Sequence, residues 1–154
     1  MKLKKIEFAR QTNFLLALLL IHFVFFGYLS NVYAKTIGDG VLFLHEVLFH
    51  PQSYLSSIIL VLIVFLMAFR EHFFEYGIRN SIWLIPFIII QSWIWYWFII
   101  GYFDIGVIGT YFLRIESYIT ILTLLGLNVT TAILASIAKE KYNAFIMRYK
   151  KIEE

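Results

Sequence analysis

Four stretches of the chain contain no Asp, Glu, Lys or Arg: Gln11–Ala34, Val47–Phe69, Asn80–Phe103 and Ser117–Ala138. Each is 22 to 24 residues long and dominated by Leu, Ile, Phe and Val. A helix needs about 20 apolar residues to cross the ~30 Å hydrocarbon layer of a bilayer. Only structures that satisfy their own backbone can sit there, and at this length that means helices. The pattern predicts an all-α integral membrane bundle of four transmembrane helices, with spans near 13–33, 53–69, 82–103 and 118–138, forming one membrane domain over residues 1–154.

Of the 154 residues, 61% are hydrophobic and 15% charged, against about 25% charged in a soluble domain. No connector is long enough to fold as a domain of its own. Function is therefore expected inside the bundle, at its rims or in partners: the lipid bilayer, further copies of the chain, or a larger membrane-protein partner. The sequence has no cysteine, which excludes thiol nucleophiles, disulfides and thiolate metal sites. The formal charge of +3 does not point to nucleic acid, because the basic residues flank the spans.

Those basic residues are distributed unevenly. Lys2, Lys4, Lys5 and Arg10 precede the first span, Arg70 and Arg79 lie between the second and third, and Lys139, Lys141, Arg148, Lys150 and Lys151 follow the fourth. With four spans these segments share one side, which then holds 11 of the 13 basic residues. The other side has Lys35 and Arg114 beside Asp39, Glu46, Asp104 and Glu116. The positive-inside rule places both termini in the cytoplasm, and the protein in an inner or plasma membrane. The alternative for the first span is a cleaved secretory signal ending at Val32-Tyr33-Ala34.

Gly38-Asp39-Gly40 signals a turn in the first outer loop. Val41, Leu42, Leu44, Val47, Leu48 and Phe49 then predict a short helix lying in the outer interface. Pro51 suits the first turn of the second long helix. That helix is expected to run to Tyr76, with Gly77 as its stop, carrying Arg70, Glu71, His72 and Glu75 as a solvated extension. Pro86 predicts a bend near the inner end of span three. Tyr142, Phe145, Ile146, Tyr149 and Ile152 share one helical face beyond span four. This predicts an amphipathic C-terminal tail against the inner leaflet.

A faint internal echo pairs Ile37-Gly38 with Ile105-Gly106, Phe43-Leu44 with Phe112-Leu113, and Ser53-Tyr54 with Ser117-Tyr118. It is what a duplicated two-helix hairpin would leave.

Polar residues at bilayer depth are the main functional pointers. His22, Gln91 and Asn128 each fall near the middle of a span, and unpaired amides in hydrocarbon cost several kcal/mol. They are expected to turn inward and meet, with Ser92, Thr130 and Thr131 extending the cluster. Such a cluster is either interhelical packing glue or a hydrated constriction in which His22 answers to pH. The aromatic group Trp93, Trp95, Trp97, with Tyr96 and Phe98, reads as packing plus an outer belt, or as a groove for an apolar ligand. Trp93 and Trp97 share a face; Trp95 points elsewhere.

Some motifs nearly form. His45-Glu46-Val47-Leu48-Phe49-His50 misses the zinc-protease pattern, which needs histidines at i and i+4; at i+5 the rings diverge by about 140°. Glu71 and Glu75 share a helix face, so a weak divalent site is the alternative to a solvated extension there. Asn128-Val129-Thr130 has the glycosylation pattern but lies at bilayer depth. No phosphate loop, carboxylate dyad, nucleophile–base constellation or cofactor motif is visible, and no catalytic residue is assigned.

The layout, together with Asp39-Gly40 after span one, Ser53-Tyr54 before span two and Glu75-Tyr76-Gly77 before span three, resembles the RexB-like phage-exclusion membrane proteins. The resemblance covers the arrangement of most of the chain. The segments Trp93–Phe98 and His45–His50 have no counterpart in it. It implies an ion-permeable protein that depolarises the membrane, and it transfers no functional residue. The sequence thus leaves two functions open: a non-catalytic accessory subunit of a membrane complex, or a self-associating, holin-like ion leak.

Overall fold

The computed structural model describes residues 2–29, 32, 43–50 and 54–153, with side chains at 11–29, 32, 43–50 and 54–149. The Gly38-Asp39-Gly40 turn, the Val32-Tyr33-Ala34 cleavage pattern, Ile37-Gly38, Pro51 and Ser53 lie wholly or partly outside the described residues. So do the side chains of the basic N-terminal segment and of Lys150, Lys151 and Ile152.

All regular structure among the described residues is helical. Helix α1 (Lys2–Leu20) runs without a break into a π-helical stretch, Ile21–Phe26. There follow α2 (Phe43–Phe49), α3 (Tyr54–Arg70), α4 (Phe74–Ile100), α5 (Gly106–Phe112) and α6 (Ile115–Glu153). Three helical stretches are long and apolar enough to cross a membrane: Gln11–Leu29, Phe74–Ile100 and Ile115–Tyr149, with mean hydropathies of 2.0, 1.7 and 2.0. The α2–α3 pair, bent by 100°, makes a fourth if taken as one span. In each of the three, only 33% of the apolar window is buried within the molecule. Leu15, Leu19, Phe23, Leu62, Ile82, Ile90, Leu122 and Leu134 are all exposed. Water-soluble monomers do not leave contiguous apolar surface on this scale; lipid is the solvent that suits it.

Inside the bundle, Ile21, Phe25, Phe26 and Leu29 of the first helix meet Leu60 and Val64 of α3, Leu84 and Ile88 of α4, and Leu124 of α6. None of these retains exposed surface. A second, small-residue contact joins Ala68 of α3 to Ala132 and Ala135 of α6, flanked by Phe65, Phe69 and Ile78. Short side chains let the two backbones approach closely.

Two breaks set the connections. At the end of α4, Gly101 adopts φ 82 and returns its N–H to the Trp97 carbonyl at 2.9 Å. This left-handed closure strains any residue with a Cβ. At the other end, α3 stops at Arg70 rather than reaching Tyr76. Phe73 is extended (φ −121, ψ 140), and its carbonyl accepts the N–H groups of Tyr76 and Gly77. Gly77 is therefore no stop. It lies in the first turn of α4, where an added Cβ would sit 3.4 Å from the Ala68 Cβ. No Gly or Pro interrupts Arg70–Tyr76, so local propensity favours continuation. Tertiary packing wins because turning here brings Glu71 inward and lays α4 on α3.

Helix α2 packs on the bundle: Phe43, Leu44 and Val47 are buried, and Phe43 stacks on Phe26 with centroids 5.9 Å apart. The C-terminal tail continues span four, as expected. α6 is a single helix of 39 residues, about 58 Å long at 1.5 Å per residue, so Tyr142, Phe145 and Tyr149 stand on the continuation of the last span. Pro86 lies exposed inside α4, with helix on both sides of it. The internal echo survives in the order of elements, since α2 and α5 are both 7-residue helices between long ones. It fails in register, because Phe43-Leu44 opens α2 whereas Phe112-Leu113 closes α5.

Candidate functional site

The most concentrated buried polar chemistry lies where α3 hands over to α4, called here the junction end. Glu71 is 4% exposed. Its Oε1 accepts two side-chain amides, Asn80 Nδ2 at 3.2 Å and Asn13 Nδ2 at 3.4 Å. The Lys139 ammonium donates to the Glu71 backbone carbonyl. Four segments thus converge on one residue: α1 through Asn13, the α3–α4 turn, α4 through Asn80, and α6 through Lys139. A carboxylate this far from water needs such donors. Ser136, His72, Glu140 and Asn143 line a cleft beside it.

Sequence reasoning placed Glu71 on a solvated helix extension, and the structure overturns that. Asn13 and Asn80 carried the available signal. Both sit at the charged ends of apolar stretches, on the side where Glu71 lies, and an amide there has to find a partner. Glu75, by contrast, is exposed. Among the described residues, no group of three or more His, Asp or Glu is placed to hold a metal ion. Glu71 and Glu75 do not share one helix face, because α3 ends at Arg70 and Glu75 belongs to α4.

The three polar residues expected to meet at mid-depth bond elsewhere. Gln91 donates to the Leu18 carbonyl of α1 at 3.4 Å. Asn128 donates to the Ser81 carbonyl of α4 at 3.1 Å. His22 lies against rings, with Trp95 at 5.4 Å and Phe23 at 5.0 Å. Ser81 and Gln91 are ten residues apart on α4, about 15 Å. Asn128 therefore belongs to the junction end and not to the level of Gln91. Ser92 and Thr131 return their hydroxyls to carbonyls of their own helices. The side-chain oxygens of Gln91 and Asn128 are buried without a donor.

The tryptophans divide as their faces dictate. Trp93 meets Tyr111 and Phe112 of α5 edge-on at 5.5 and 5.9 Å. Trp97 donates its indole N–H to the Asp104 carbonyl at 2.9 Å and packs on Phe103. Trp95 turns instead to His22 and Phe98. Helix α5 was not legible in the sequence. Asp104 Oδ1 accepts the Gly106 N–H at 2.8 Å at its start, and Val107 and Tyr111 anchor it. Tyr111 is 1% exposed, with its hydroxyl unpartnered. Burial pushes its phenol above the ordinary value of 10.0, against a smaller lowering by the Ser117 side chain.

At the same end His45 Nδ1 lies 3.0 Å from the Thr120 hydroxyl, which itself donates to the Glu116 carbonyl at 2.8 Å. The hydroxyl's proton is thereby committed, so the imidazole N–H is the donor to Thr120. This bond fastens α2 to α6.

The arrangement can pin helices and turn the chain. No protein-family model matches the chain, and neither does any curated protein or solved structure.

Proposed function

We propose that the chain is a non-catalytic four-span protein of an inner or plasma membrane, with both termini cytoplasmic, serving as an accessory subunit of a larger membrane complex. The observation that carries this reading is the apolar packing between the long helices. Ile21, Phe25, Leu60, Val64, Leu84, Ile88 and Leu124 fill the space between the long helices with no exposed surface. A single copy so filled offers no aqueous path, and its polar chemistry fastens helices. The orientation is supported by the grouping of Arg70, Arg79, Lys139, Lys141 and Arg148 around the junction end, in keeping with the positive-inside rule.

The test is to express the chain alone and follow membrane potential with a voltage-sensitive dye, then purify it in mild detergent. The reading expects unchanged potential and a larger membrane protein co-purifying. Depolarisation, or a reporter at Glu154 appearing outside the cell, refutes it.

A second reading, a self-associating leak of the phage-exclusion or holin type, is favoured by the undonated oxygens of Gln91 and Asn128. Rearrangement of several copies around water would satisfy them. On that reading expression alone depolarises, and His22→Ala or Asn128→Ala alters the leak.

A further inference from the structure

A groove runs between α1 and α3 at the junction end, and its chemistry changes along its length. Ala17, Ile63 and Met67, all nearly fully buried, form its base, and the exposed Leu16 and Leu66 form its rims. At its end stands Arg70, exposed in the last turn of α3. From Ile63 to Arg70 is seven residues, about 10 Å. The apolar trough thus leads away from the charged boundary of the bundle over roughly two helical turns. The neighbouring Asn13 is committed to Glu71. Arg70 makes no hydrogen bond or ion pair among the described residues, and none of them takes up its planar set of donors. A second groove, between α1 and α4, offers a comparison. It is lined by Gln11, Phe14, Asn80, Trp83 and Phe87 and has no charged side chain.

An amphiphile with one anionic oxygen group and an alkyl chain fits the first groove and not the second. Guanidinium pairs with phosphate through two parallel N–H bonds, and the trough below it presents only hydrocarbon. We infer that the α1–α3 groove binds one anionic phospholipid from the surrounding bilayer, with the phosphate on Arg70 and the upper part of an acyl chain on Ala17, Ile63 and Met67. This rests on the chain being a membrane protein and goes beyond the proposed role by naming a ligand class and its anchor.

The full chain, purified in neutral detergent, is equilibrated with phosphatidylglycerol or phosphatidylcholine, and retained lipid is counted by native mass spectrometry. One basic group near a membrane surface corresponds to about five-fold preference for the anionic lipid, and that preference is expected here. Arg70→Gln removes it, while Arg79→Gln, outside the groove and over the Tyr76 ring at 4.9 Å, leaves it in place. Leu66→Trp, at a lipid-exposed rim, blocks the trough and lowers retention of both lipids with helical content unchanged. Equal retention of the two lipids by the parent chain overturns the inference, as does an equal loss from Arg70→Gln and Arg79→Gln. Either result in a protein that still requires detergent sinks the groove alone. A chain that stays monodisperse without detergent sinks the membrane reading as well.

Discussion

Replacing Glu71 by Leu tests whether the junction end is held by its carboxylate. Asn13 and Asn80 are 7% and 8% exposed, and both send Nδ2 to the same Oε1. Leucine strands two buried amide donors at about 1–3 kcal/mol each, so the expected loss is about 2–6 kcal/mol. The lower part of that range already exceeds the ~0.6 kcal/mol average for hydrogen bonds between membrane helices. The excess follows from location: at the charged end of the bundle, the unfolded chain can return these amides to water. Glu71→Gln keeps an acceptor oxygen and loses only the charge assistance, about 1 kcal/mol per bond and roughly 2 in all. The assay is equilibrium unfolding in mixed micelles followed by tryptophan fluorescence, with Asn80→Leu completing a double-mutant cycle. Once Asn80 is Leu, the Glu71→Leu step should cost about 1–3 kcal/mol less than in the parent, because one stranded donor is gone. A Glu71→Leu protein within about 0.5 kcal/mol of the parent, the scatter of ordinary surface substitutions, would show that the cluster does not hold the helices.

Three further outcomes follow from the same coordinates. Gly77→Ala should be close to neutral, since its methyl meets Ala68 at an ordinary 3.4 Å. Gly77→Leu should cost about 1–3 kcal/mol by prising α3 from α4, and unfolding midpoints separate the two. Gly101→Ala should lose about 1–2 kcal/mol, because its φ of 82 disfavours any Cβ; equal stability would refute that reading of the turn. Tyr111→Phe should be neutral or slightly stabilising at pH 7, as the hydroxyl it removes is buried and unpaired. With burial holding the folded phenol above 10.0, the unfolded chain releases this proton first. The contribution is whole below pH 10 and declines as pH rises from 10 towards the folded value. Parent stability should therefore fall with pH above 10 more steeply than that of Tyr111→Phe, and parallel slopes would contradict it.

Much of the helical layout was legible because the spans are encoded additively. Charge-free runs of about 20 residues report helices wherever lipid is the solvent, since each apolar side chain contributes independently of what it touches. Leu124 could be placed in an apolar helix without knowing its neighbours. The tryptophan faces were readable for the same reason, because the helical repeat alone separates Trp95 from Trp93 and Trp97. Asn128 was not. Its depth depends on how far α6 slides past α4, and pairing with Ser81 sets it well below Gln91. The short helix α5 also escaped, because one aspartate at its start and a buried Tyr111 hold it where no strong periodicity exists.

The sequence by itself determined the long helices and the solvent that suits them: its charge-free apolar runs call for helices fitted to lipid, whatever their arrangement. Tertiary structure alone decided where α3 ends. From Arg70 to Tyr76 nothing local opposes another turn of helix, and the chain reverses because Ala68 against Gly77, and Glu71 under Asn13, Asn80 and Lys139, are contacts between segments that the sequence keeps apart. Local propensity is a sum over neighbours in the chain, whereas a buried carboxylate is stabilised only by donors that folding brings to it.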